Sequence, residues 1–213
     1  MALKLADLAP DFEAETTKGK INFHDWLGNS WGLFFSHPED YTPVCTTELG
    51  VVANLREEFT KRNVKIIALS IDDVKSHLNW IKDIEETIDS KVDFPIIADI
   101  DKSISAMYGM IHEGLNTNFT IRSVFIIGPD KKIRLTLTYP MAIGRNFDEI
   151  LRVIDALQLS ENYNVVTPAN WILGEKVIIA PTLSEEEIAK EFPKGFDQVK
   201  PYLRYIPQPK GEG

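Results

Sequence analysis

Cysteine is nearly absent: Cys45 is the only one in 213 residues. A single thiol excludes an intrachain disulfide framework, a CxxC redox pair and any zinc site built from several cysteines. Long apolar runs are missing as well. Nowhere does the chain string together the roughly 18 apolar residues that a membrane-spanning helix needs. Its start, Met1-Ala2-Leu3-Lys4-Leu5-Ala6-Asp7, has no continuous apolar core of the secretory kind. Basic charge is short: 23 Lys and Arg stand against 32 Asp and Glu, a net charge of −9 with no basic cluster. Nucleic acid and stable membrane association are therefore not expected. No repeat or low-complexity tract is visible. What remains is a cytoplasmic enzyme-like chain with 44% hydrophobic residues, enough to bury a core, and neither cofactor nor metal is expected.

The one cysteine has an informative setting. It follows the apolar run Trp31-Gly32-Leu33-Phe34-Phe35 and lies in His37-Pro38-Glu39-Asp40-Tyr41-Thr42-Pro43-Val44-Cys45-Thr46-Thr47-Glu48-Leu49. A β-prone run, a polar loop with two prolines, then apolar residues at Leu49, Val52, Ala53 and Phe59 predict strand, loop and helix. Thr42 is the expected N-cap and Pro43 the first helical residue, where its missing N–H costs nothing. Cys45 then falls in the first turn, facing unpaired backbone amides and the positive end of the helix dipole, which favour a negatively charged sulfur. A lone cysteine is often just a small buried hydrophobe, but reactive groups concentrate on loops over a rigid sheet.

Elsewhere the elements alternate in an α/β manner. Val64–Ile71 is a second buried-strand candidate, and Val74, Leu78, Ile81, Ile84 and Ile88 are spaced for a helix over 73–88. Pro95–Ala98 predicts a short strand and Ser103–Met110 a helix. Ile121–Ile127 and Lys132–Tyr139 flank the turn Gly128-Pro129-Asp130-Lys131, a β-hairpin pattern. Asn146, with Asp148 and Glu149 behind it, opens a helix to about Leu157. The character changes near Ser160: prolines at 168, 181, 193, 201, 207 and 209 punctuate one short strand candidate, Lys176–Ala180, and one short acidic helix, Ser184–Phe192. That stretch reads as having too little apolar surface for a core of its own. The expected organisation is a domain over residues 1–160 and an extension over 161–213.

The pattern Pro38-x-x-x-Thr42-x-x-Cys45 resembles the active-site motif of the peroxiredoxins, and the string from Phe35 to Leu49 is similar to that of their one-cysteine, peroxiredoxin-six subfamily. Further matching stretches are Asn63–Ile71, Phe94–Ile97, Ile121–Lys132, Gly144–Val153 and Tyr202–Pro209, so the resemblance spans nearly the whole chain. One departure is Met141-Ala142-Ile143, where the family usually has small and hydroxyl residues. The resemblance implies a thioredoxin-like fold with a C-terminal extension serving as an arm of a homodimer. It also implies a thiol-dependent peroxidase acting on hydrogen peroxide and organic hydroperoxides. Cys45 would become a sulfenic acid and be reset by an external thiol of the glutathione, glutaredoxin or thioredoxin type.

Residue roles follow on the same footing. Thr42 would set its hydroxyl near sulfur and peroxide, and Pro38 would shield the sulfur from water. Arg122, beside the apolar run Val124–Ile127, matches the family's catalytic arginine. Arg145 matches a second arginine, although just before a helix it has Asp148 and Glu149 as alternative partners. His37 would tune the site by its charge, while His77 and His112 read as surface residues. A second motif, Gly28-Asn29-Ser30-Trp31-Gly32, satisfies GxSxG, but its serine precedes a strand instead of following one, the wrong context for a nucleophile elbow. Some members of the resembled subfamily are also phospholipases A2, with a set that would fall on His24, Ser30 and Asp130; Asn29 replaces their usual acidic residue. A redox sensor or chaperone working through Cys45 is the remaining alternative.

Overall fold

The apolar run Trp31–Phe35 forms the middle strand of the main sheet. The computed structural model describes residues 3–115 and 118–209, and these divide into two units, one ending at Phe147 and the other beginning at Asp148. In the first, β1 (Glu13–Ala14), β2 (Ile21–Asn22) and α1 (Phe23–Leu27) precede β3 (Trp31–Ser36). There follow α2 (Pro43–Asn54), α3 (Arg56–Lys61), β4 (Val64–Ser70), α4 (Val74–Ile88), β5 (Ile96–Ala98), α5 (Ser103–Met107), β6 (Arg122–Ile127) and β7 (Ile133–Tyr139). The main sheet has the order β5-β4-β3-β6-β7, with β3 parallel to β4 and antiparallel to β6. Every residue of β3 and of β6 is buried, as expected for strands covered on both faces. The edge strand β7 alternates instead, and the hairpin read from Gly128–Lys131 joins it to β6.

Side chains alternate across β3. Phe34 points into an aromatic cluster in which Phe12 stacks on Phe23 at 4.7 Å and Tyr108 meets Phe34 edge-on at 4.8 Å. Phe35 points the other way, toward Phe94 and Phe147. Burying each such ring contributes about 1.5–3 kcal/mol, so β3 is pinned from both sides, and the loop leaving its C-terminal end starts from a fixed point.

Two expectations change. On α4 the buried residues are His77, Trp80 and Ile84, while Leu78 is 45% exposed. The apolar spacing found the helix but misjudged its inward face, because a histidine and a tryptophan carry that face. His77 is fully buried, not a surface residue; His112 is exposed.

The second unit contains α6, which spans Phe147–Asn162, then β8 (Val165–Val166), β9 (Val177–Ile179), α7 (Glu185–Glu191), β10 (Asp197–Lys200) and β11 (Leu203–Ile206). Its strands form an antiparallel sheet of order β10-β11-β9-β8. Leu159, Val165, Trp171, Val177, Ile179, Ile188 and Ile206 make a core of their own, which corrects the expectation of a segment too poor in apolar surface. These residues arrive singly, between prolines, and only the sheet assembles them. Leu159 of α6 joins that core, and the second compact unit begins at Asp148. Among the described residues, no helix is long and apolar enough to cross a membrane.

Candidate active site

Cys45 sits in the third position of α2, as the proline placement predicts. Thr46 N–H is bonded to Thr42 C=O, which leaves the amides of Val44 and Cys45 at the open end of the helix. Thr42 occupies the N-cap with extended backbone, but its side chain does not cap. Its hydroxyl donates to the Glu39 carbonyl at 2.9 Å, closing the loop on itself. Tyr41, between Asp40 and Thr42, adopts φ +55°, a strained left-handed conformation for a bulky side chain. Pro38 is buried, and Cys45 is 0% exposed.

The sulfur has a cation beside it. Arg122 is 3% exposed and brings Nη1 to 3.4 Å from Cys45 Sγ, while the same nitrogen donates to Glu48 Oε2 at 2.7 Å. Its Nε donates to the Met141 carbonyl at 2.8 Å. That contact uses backbone, so the unusual Met141-Ala142-Ile143 leaves it intact. Arg145 pairs with neither Asp148 nor Glu149. It grips Glu48 with Nε at 2.9 Å, Nη2 at 2.6 Å and its backbone N–H at 2.8 Å. Its Nη1 donates to the carbonyls of Ser36 and Ser123, and its guanidinium lies 4.9 Å from the Phe35 ring centre.

Two guanidinium groups and one carboxylate leave one positive charge over, beside the sulfur. Burial alone would raise the Glu48 carboxyl; the charge and hydrogen bonds of Arg145, with Arg122 behind, hold it below the usual glutamate range. Burial lowers Arg145 from the ordinary arginine value, against the pull of Glu48. Glu48 was not singled out from the sequence. The available clue was its place three residues after Cys45, on the same helix face.

Behind the loop lies a second cluster. His37 Nε2 is 3.0 Å from Asp40 Oδ1, and His77 Nδ1 is 2.8 Å from Asp40 Oδ2. Ser76 Oγ donates to Asp40 at 2.8 Å, and the Asp40 N–H donates to Asp72 at 3.1 Å. Burial raises the Asp40 carboxyl, but the hydrogen bonds and charges of the two histidines outweigh it and hold it far below the usual range. Burial pushes His37 down. Trp80 closes this side, its ring centre 5.1 Å from that of His37 and its N–H donating to Thr46 Oγ1 at 3.2 Å.

The structure does not bring the hydrolase set together. Among the described residues no hydrogen bond joins His24, Ser30 and Asp130 to one another. His24 Nε2 donates to the Ala9 carbonyl at 2.8 Å and Ser30 Oγ to Asn63 Oδ1 at 2.9 Å, while Asp130 accepts from Lys132 N–H and pairs with Arg134.

Comparison with known proteins places this geometry. A family model described as the AhpC/TSA family matches residues 5–136, and one described as the C-terminal domain of 1-Cys peroxiredoxin matches residues 156–195. A 1-Cys peroxiredoxin of Dictyostelium discoideum is 54% identical over 97% of this chain and 86% of its own. Peroxiredoxin-6 of Mus musculus is 54% identical over 97% and 98%. Among solved structures, the C45S mutant of the Peroxiredoxin 6 of Arenicola marina superposes with a TM-score of 0.91 at 48% identity, covering 98% of this chain and 100% of that one. A yeast mitochondrial 1-Cys peroxiredoxin, described with a thiol resolving mechanism via glutathione/thioredoxin systems, superposes with a TM-score of 0.90 at 50% identity over 96% and 99%. With its thioredoxin-like fold, its single cysteine at a helix start and matches along nearly its whole length, the chain belongs to the peroxiredoxins of the AhpC/TSA family, in their one-cysteine branch.

Proposed function

We propose that the chain is a thiol-dependent peroxidase that reduces hydrogen peroxide and organic hydroperoxides at Cys45. The observation that carries this reading is the Arg122 guanidinium 3.4 Å from a sulfur that itself lies in the first turn of α2. Both favour the thiolate. The sulfur attacks one peroxide oxygen and forms an S–O bond as the O–O bond breaks. The departing oxygen leaves as water or alcohol after taking a proton, and Cys45 becomes a sulfenic acid. Arg122 stabilises the charge that passes from sulfur to leaving oxygen. The hydroxyl proton of Thr42 is already given to Glu39, so its oxygen serves as acceptor and orients the peroxide O–H. Pro38 excludes water, and Arg145 acts through Glu48 to hold Arg122 in place.

Resetting needs a thiol from outside, because no other cysteine exists in the chain. One thiol condenses with the sulfenic acid and releases water, giving a mixed disulfide; a second displaces Cys45 as thiolate. The reductant class is glutathione, glutaredoxin or thioredoxin, in keeping with the yeast relative. A homodimer and a cytoplasmic setting belong to the proposal on family resemblance alone. The test is peroxide consumption with these thiols by wild type and Cys45→Ser. Turnover only in wild type is expected; stoichiometric oxidation without turnover with any of them would favour a sensor over an enzyme.

A further inference from the structure

Three side chains outside the reacting atoms have the chemistry of a metal site. His37, Asp40 and His77 are 0%, 4% and 0% exposed, and one ligand atom from each lies within 4.8 Å of the other two. We propose that they form a binding site for a divalent transition-metal ion of zinc's class, which would tie the catalytic loop to α4. Two imidazole nitrogens and a carboxylate oxygen are a donor set that suits zinc and its neighbours.

Two of the three have the outer contacts of metal ligands. His77 turns its other nitrogen, Nε2, to the Ile97 carbonyl at 3.2 Å, the kind of second hydrogen bond that fixes the tautomer of a ligating histidine. Asp40 is steadied by Ser76 Oγ. An ion on Nδ1 of His77 leaves the Nε2–H bond to Ile97 in place. Nδ1 of His37 is buried and has no hydrogen-bond partner among the described residues.

Titration of the purified full-length protein with Zn²⁺ by calorimetry reads the stoichiometry. One zinc per chain is expected, unchanged in Cys45→Ser. His77→Gln and Asp40→Asn, both close in shape to the native residues, should weaken binding at least about tenfold, the lower end of what disturbing even an outer contact costs. The Co²⁺-loaded wild type should show visible ligand-field bands with no sulfur-to-cobalt charge-transfer band. Failure of the wild type to bind zinc stoichiometrically would overturn the proposal. So would loss of binding in Cys45→Ser, or undiminished binding in a folded His77→Gln or Asp40→Asn protein.

Discussion

Glu48 is the residue on which both arginines of the site depend. It accepts from Arg122 and, three times over, from Arg145, so Glu48→Gln leaves two buried cations sharing a neutral amide. Removing one member of a buried ionic network costs about 3–5 kcal/mol, and thermal melting should show the loss. Peroxide reduction should fall as well, because the guanidinium beside Cys45 is no longer held. Arg122→Ala, which removes that group outright, should cost about 10²–10³ in rate, read from peroxide consumption at saturating thiol. Acid tests the same carboxylate. Its folded-state value is depressed, so its stabilisation is present above the ordinary glutamate range and is lost as pH falls through the lower folded value. Between about pH 6 and pH 3, wild type should lose more melting temperature than Glu48→Gln. Cys45, Arg122 and Arg145 were legible in the sequence because each stands in a recognisable string. Glu48, Asp40 and His77 were not, since an acid on a helix and a histidine among polar neighbours read as solvated until the fold buries them.

At the scale of elements, α2 and α4 meet where a side chain has been left out. A Cβ added to Gly50 of α2 would stand 2.0 Å from Ile88 Cδ1 and about 3 Å from that residue's other branch atoms. Gly50→Val should therefore destabilise by about 1–3 kcal/mol through overpacking, a drop of roughly 2–4 °C in melting temperature per kcal/mol for a chain of this size. Thermal melts would show it, and no change would mean that α4 yields without cost. The strands around the site were legible, since β3, β4 and the β6–β7 hairpin announce themselves by unbroken apolar runs and a turn. The inward face of α4 was not, because Trp80 and His77 fill it where aliphatic spacing pointed to Leu78. The sheet of the second unit also escaped the sequence. Its strands are two to four residues long, too short for alternation to register.

For the whole molecule the cysteine count sets the oxidation chemistry. One equivalent of peroxide should give a trappable sulfenic acid on a chain that runs as a monomer on non-reducing gels. A small thiol should then yield a mixed disulfide, and excess peroxide without thiol the inactive sulfinic acid. Intact-mass measurement reads each species, and a quantitative Cys45–Cys45 linked dimer would refute the scheme. The complete burial of Cys45 reaches further. A peroxide is small enough to pass the Pro38 and Thr42 shell by minor fluctuations, but a tripeptide or protein thiol is not. Reduction must wait for the first turn of α2 to come away from its surroundings. The rate of regeneration should then level off as reductant is raised, at a ceiling common to chemically different thiols. That ceiling measures the protein's own opening frequency, and the lone sulfur is its clock.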